Sequence, residues 1–253
     1  MRVVLPPSET KRDGGHDRAL DVSTLAFPEL GERRDAVLDA LVALSADEDA
    51  SVRALKLGRT QLTEIARNAA LRSAPTMPAI DRYTGVLYDA LAADRWSAGD
   101  RAFAHEHVLV QSALFGPIAA LDAIPAYRLS HDSRLPGLRL RAHWSSAAGA
   151  ALARPSGLLI DLRSEGYAAL GPIDAGANAA YVRVVTEDGD GTRRALAHFN
   201  KQAKGHLVAA LVSSRARIDD LDGLLDWGDA HGHRFARTAH VGPGGIAEVE
   251  LLV

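Results

Sequence analysis

Leu158-Leu159-Ile160-Asp161-Leu162 is apolar apart from one aspartate and runs straight into Arg163-Ser164-Glu165-Gly166-Tyr167. A short run of this kind reads as a strand buried on both faces, the pattern of a parallel sheet covered by helices. Arg2-Val3-Val4-Leu5, ended by Pro6-Pro7, reads as a second strand. Val108-Leu109-Val110 is a third and leads into a turn at Gly116-Pro117. Toward the C-terminus, Tyr181–Thr186 and Arg194–Phe199 flank Asp188-Gly189-Asp190-Gly191, a hairpin signal. Two last strands, Arg234–His240 and Ala247–Val253, join through Gly242-Pro243-Gly244-Gly245. Helical spacing marks Leu30–Leu44, Asp49–Leu57, Arg59–Leu71, Ala79–Ala93, a segment capped by Ser97 that runs to about His107, and Trp144–Ala153. No repeat, linker or composition shift divides the chain. The expectation is a mixed α/β fold over residues 1–253 as a single domain, with a central mixed sheet flanked by helices.

The 253 residues are 47% hydrophobic, enough to bury a sizeable core. The net charge of -3 means that any nucleic-acid contact has to come from a local basic patch. The absence of cysteine excludes disulfides, thiol catalysis and cysteine-ligated metal. The N-terminus has no signal-peptide layout, and no apolar run reaches the roughly 18 residues of a membrane helix. A soluble, cytoplasmic protein without membrane contact is expected. Neither dinucleotide and phosphate loops nor serine-hydrolase and zinc-protease signatures occur, and no cofactor is expected. His231-Gly232-His233 reads as a pair of solvated loop histidines, and Asp219-Asp220 with Asp222 as an acidic helix start, so no metal site is expected.

Cation usage is uneven: 4 lysines stand against 25 arginines. Three of the lysines fall in two segments, Pro6-Pro7-Ser8-Glu9-Thr10-Lys11 and Phe199-Asn200-Lys201-Gln202-Ala203-Lys204-Gly205. The second opens an apolar helix, Leu207 to Val212, with Asn200 as N-cap. Lysine in a first turn opposes the helix dipole. Either both ammonium groups extend into water, or Lys201 and Lys204, at i and i+3, share one anion with the free N–H groups of the helix start. Asp161 to Tyr167 follows a buried strand, where α/β proteins bind ligands, or is a plain connection capped by Ser164.

In order along the chain, several stretches resemble the YaaA family of bacterial peroxide-stress-resistance proteins. They are the Pro-Pro-Ser loop after the first strand; Tyr83-Thr84-Gly85, matching a Y-T-G on a helix; Gln111-Ser112-Ala113-Leu114-Phe115-Gly116 with Leu121-Asp122 and Pro125-Ala126-Tyr127-Arg128-Leu129; Trp144; Leu159 to Tyr167; and Phe199 to Gly205. The resemblance implies a family-specific α/β fold with an electropositive cleft, and protection of DNA under hydrogen peroxide. It implies either weak, non-specific binding of duplex DNA through a helix–hairpin–helix-like element or lowered reactive iron. The cleft residues it implies are Lys11, Arg82, Tyr83, Arg128, Lys201 and Lys204. Ser8, Glu9, Asp161, Ser164, Glu165 and Tyr167 are secondary candidates. Tyr127 and Arg128 are expected to face the cavity of the Lys201/Lys204 helix start, or else Arg128 pairs with Asp122 or Asp132. The chain departs from the family in two places. Glu9 stands where many members carry lysine, and Pro117-Ile118-Ala119-Ala120 lacks their basic residue. The polar company of Glu9, Asp161, Glu165, Tyr83 and Tyr167 supports the alternative, an enzyme or binding protein for a small phosphorylated or carboxylated molecule.

Overall fold

The structure is a computed structural model that describes residues 1–16, 18–154, 157–189, 192–195 and 200–253. Its strands are β1 (Arg2–Leu5), β2 (Met77–Pro78), β3 (Val108–Ser112), β4 (Gly116–Ala119), β5 (Ala123–Ile124), β6 (Leu159–Asp161), β7 (Ala179–Glu187), β8 (Arg193–Ala195), β9 (Arg234–Val241) and β10 (Ala247–Leu252). The main sheet has the order β4-β3-β1-β6-β7-β10-β9, with β8 added onto β7 and with β2 and β5 paired separately. Its centre is parallel. Val3 of β1 lies opposite Val108 of β3 on one side and Ile160 of β6 on the other, and β6, β7 and β10 continue in parallel. β4, β8 and β9 are antiparallel additions at the margins.

Burial on both faces follows from strand alternation. Val3 and Leu5 enter the larger apolar cluster with Leu207, Val208 and Leu211, whereas Val4 enters the smaller one with Leu109, Leu159 and Leu152. The helices are α1 (Gly31–Leu44), α2 (Glu48–Leu55), α3 (Thr63–Ala69), α4 (Ala79–Arg82), α5 (Val86–Leu91), α6 (Ala98–His107), α7 (Leu140–Leu152), α8 (Glu165–Ala168), α9 (Asn200–Ser213) and α10 (Leu221–Ala230). Ser97 and Asp100 form the capping box that starts α6, and Asp220 caps α10 by accepting from Gly223 N–H. Asp47, unnoticed in the sequence, caps α2 in the same way through Ala50 N–H.

The expected continuous helix over Ala79–Ala93 is broken. α4 ends as Tyr83 turns extended (φ -75°, ψ 142°), and Gly85 takes φ 98°, which a side chain disfavours. The gain is a docking place for the loop after β1. Lys11 bridges to Tyr83 in antiparallel fashion, and Thr84 N–H donates to Thr10 O at 3.2 Å. Tyr83-Thr84-Gly85 is thus a joint between helices and not part of one. Arg59–Leu71 likewise divides into a 3-10 turn, Arg59–Gln61, and α3. The hairpin of β7 and β8 forms as expected, although Asp190, Gly191 and residues 196–199, Phe199 among them, lie outside the described residues.

Candidate functional site

β1 and β6 are neighbours whose outgoing connections diverge. The chain leaves β1 for β3 on one side and leaves β6 for β7 on the other. The carboxyl ends of such a pair bound the crevice in which open α/β sheets hold ligands. A cleft of about 410 Å³ lies there. It is lined by Pro6 to Thr10 after β1, by Ser164 and Tyr167 after β6, by Thr84 to Tyr88 at the joint of α4 and α5, and by Lys201 in the first turn of α9. The volume suits a small organic ligand. One wall is apolar (Pro6, Pro7, Val86, Leu87). The other offers hydroxyls, and the charged side chains lining the cleft are Glu9 and Lys201.

Behind the Glu9 loop sits a buried polar chain. Ser112 Oγ accepts from the N–H groups of Leu114 and Phe115, each at 3.0 Å. With both lone pairs used, its proton goes to Tyr127 Oη at 2.7 Å, and Tyr127 in turn donates to Tyr83 Oη at 2.8 Å. Burial pushes the pKa values of both phenols up, so they stay protonated. The Lys11 ammonium lies 4.1 Å from the centre of the Tyr127 ring and 5.4 Å from that of Tyr83. It donates to Ser8 O at 3.0 Å and Glu9 O at 3.4 Å, which ties down the loop that lines the cleft.

As a residue Lys11 is partly exposed, but its ammonium is enclosed. Burial brings its pKa down from 10.5 to about 7, with the Glu9 carboxylate opposing the shift. Below about 7 the folded and unfolded chains both carry the proton, and the full penalty of burying the charge is present. Between about 7 and 10.5 the folded chain has released a proton that the unfolded chain still holds, so stability rises with pH. Lys11→Met is therefore expected to melt higher relative to the parent near pH 6 than near pH 9. Thermal unfolding across that range checks the sign, and a gap that widens toward high pH would contradict it.

The other expected site residues have varied surroundings. Arg82 is fully buried and donates to the carbonyls of Ile124, Pro75 and Arg12, so it braces the chain and does not line the cleft. Arg128 pairs with Glu9 at 2.9 Å, and neither Asp122 nor Asp132 is its partner; those two bind the N–H groups of Ala26 and Ala119, and Lys56. Lys201 and Lys204 do not share an anion seat. Lys201 is exposed at the cleft, whereas Lys204 is buried, donates to Leu162 O at 2.9 Å and lies 5.7 Å from the centre of the Tyr181 ring. Burial lowers the Lys204 pKa to about 8 against the pull of Asp161. Asn200 is the first residue of α9 and not the residue before it, and its side-chain oxygen has no hydrogen-bond partner among the described residues.

Asp161 is occupied by Arg163, Oδ1 to Nε at 2.8 Å and Oδ2 to Nη2 at 2.6 Å, with both side chains buried away from the cleft. Glu165 is exposed and 3.6 Å from Arg183. Ser164 stands at the N-cap position of α8 without capping it, and lines the cleft with Tyr167. His231 and His233 each stack on the Trp227 ring, with ring centres 4.7 and 5.4 Å from it. The sequence reading passed over Ser112, Tyr88, Thr10 and Thr84 as site residues. Only the place of Ser112 and Thr84 within the family stretches could have flagged any of them.

A mixed sheet with a crevice of ligand size at its switch point defines an α/β protein. The family profile described as "Peroxide stress protein YaaA" matches residues 1–239, and the chain belongs to that family. A UPF0246 protein of Corynebacterium efficiens is 44% identical over 219 residues, 85% of this chain and 86% of the relative. One of Corynebacterium glutamicum is 40% identical over 92% and 93% of the two chains, and one of Streptomyces coelicolor 40% over 85% and 84%. Family membership supports a role in the peroxide stress response. Among the described residues no helix is long and apolar enough to cross a membrane.

Proposed function

We propose that the chain serves the peroxide stress response by holding a small polar or anionic organic molecule in the cleft between the carboxyl ends of β1 and β6. The observation that carries this reading is the convergence of three separate segments, the loops after β1 and β6 and the first turn of α9, on one pocket of about 410 Å³. A duplex is far wider than such a pocket. The cations that a duplex-binding groove would use, Lys11, Arg82, Arg128 and Lys204, each have partners inside the protein. Val86 lines the cleft and is 43% exposed, so Val86→Trp fills the cleft without entering the core. In a deletion strain, Val86→Trp is expected to restore peroxide survival no better than an empty vector while melting close to the parent. Full rescue by this variant would sink the small-ligand reading.

Protection of DNA by weak, sequence-independent binding is the second reading. It is favoured by Lys201, which is exposed in a first helical turn and makes no ion pair among the described residues. Phosphate contacts predict affinity that falls steeply with salt. Fluorescence anisotropy of a labelled duplex at low and physiological salt tests this. Tight, salt-sensitive binding that is lost in Lys201→Ala would move the assignment to DNA.

A further inference from the structure

Glu9 makes a contact that a plain binding pocket has no need of. It lines the cleft, and its Oε2 lies 2.9 Å from Arg128 Nη1. Arg128 is fixed from both sides of its backbone: its N–H donates to Asn68 Oδ1 at 2.8 Å, its carbonyl accepts from Asn68 Nδ2 at 2.9 Å, and Asn68 is fully buried. The Arg128 side chain is 15% exposed, that of Glu9 45%. The cation is thus the rigid partner and the carboxylate the movable one. Lys11 senses both charges, Glu9 favouring its protonated form and Arg128 opposing it, and Glu9 also acts on the hydroxyls of Tyr127 and Tyr167. A carboxylate in contact with one nitrogen of a guanidinium fork leaves donors of that fork for a second oxygen.

We infer that Glu9 is an internal stand-in for the ligand. It occupies an oxyanion seat formed by Arg128 with Lys11 behind it, and a small organic carboxylate with an apolar body takes the seat by displacing Glu9. The inference rests on the reading of the cleft as a small-ligand site. A carboxylate is favoured over a phosphate because the exchange replaces one planar monoanion by another and leaves the local charge unchanged, whereas a phosphate dianion adds charge. The wall of Pro7, Val86 and Leu87 receives the apolar body. Glu9 then acts as a filter, since a ligand has to outcompete a carboxylate already present at high local concentration.

Glu9→Gln keeps the loop backbone and its bonds to Lys11 while removing the competing charge. Titration calorimetry with benzoate, with inorganic phosphate and with a short DNA duplex tests the proposal. Benzoate is expected to bind Glu9→Gln about tenfold or more tightly than the parent, because the seat is freed from its internal occupant. Arg128→Lys added to Glu9→Gln keeps the charge but not the fork and is expected to lose most of the gain. Ligand-induced rises in melting temperature provide a second measure of the same order of affinities. Equal or weaker benzoate binding in Glu9→Gln overturns the role of Glu9. If Val86→Trp abolishes that unchanged binding, the cleft reading stands without it. A gain for phosphate or for the duplex in place of benzoate overturns the carboxylate assignment, and no binding by any variant overturns both the inference and the cleft reading.

Discussion

Replacing Arg163 by leucine is expected to destabilise the fold by about 3–5 kcal/mol, the loss typical of stranding one member of a buried ion pair. Arg163 is fully buried, grips both oxygens of Asp161 and donates to Gly171 O at 2.9 Å. Without it, Asp161 is stranded at the end of β6, keeping among the described residues only the backbone N–H of residue 163, at 3.0 Å. A loss of this size is a large part of the stability of a typical domain. The cleft should fail with the fold, because Ser164 and Tyr167 hang on this same turn. Adding Asp161→Asn removes the stranded charge and should recover part of the loss. Chemical denaturation reads both steps. Unchanged stability in Arg163→Leu, or no recovery in the double variant, would show that the pair does not organise this wall.

The second large effect is expected at Gly205. α9 crosses α5 so closely here that a Cβ on Gly205 would lie 2.3 Å from Leu87 O and 2.8 Å from Ala90 Cβ. Backbone and not a flexible side chain is in the way, so the helices have to part. Gly205→Val is expected to lose about 1–3 kcal/mol through overpacking. Leu87 and Tyr88 on α5 and Lys201 on α9 line the cleft from these two helices, so ligand affinity should fall with stability. Benzoate titration of the folded variant, beside its denaturation curve, separates the two effects. A variant as stable and as competent as the parent would mean that the close crossing is dispensable.

These two sites show how far the sequence could be read. The buried strand at 158–162 and the opening strand were legible because apolar runs without alternation leave little choice but a covered parallel sheet. The order of the strands was not, and with it went the switch point, since nothing local in Arg2 to Leu5 says that β6 is its neighbour. Gly205 stood in a recognisable motif, yet its reason, the carbonyl of Leu87, is more than a hundred residues away in the chain. Charged residues were the hardest to place. Lys201 and Lys204 differ by one helical turn and look equivalent in sequence, but one faces the cleft and the other is enclosed beneath the Leu162 carbonyl. Asp161 looked like a cleft acid until Arg163, two residues on, claimed it. Glu9, by contrast, was visible as a departure from the family's lysine, and the structure gives that departure a partner in Arg128. Tyr83-Thr84-Gly85 read as helix because propensity cannot register the loop of Thr10 and Lys11 that docks there.

The claim that the crevice between β1 and β6 is the working site of this protein is tested most directly by amide NMR of the parent chain titrated with millimolar benzoate. The account predicts shifts concentrated at Ser8 to Thr10, Thr84 to Leu87, Ser164 to Tyr167 and Lys201, saturating with benzoate concentration and abolished in Val86→Trp. Shifts confined to other surfaces, or no saturating response at these residues, would contradict it.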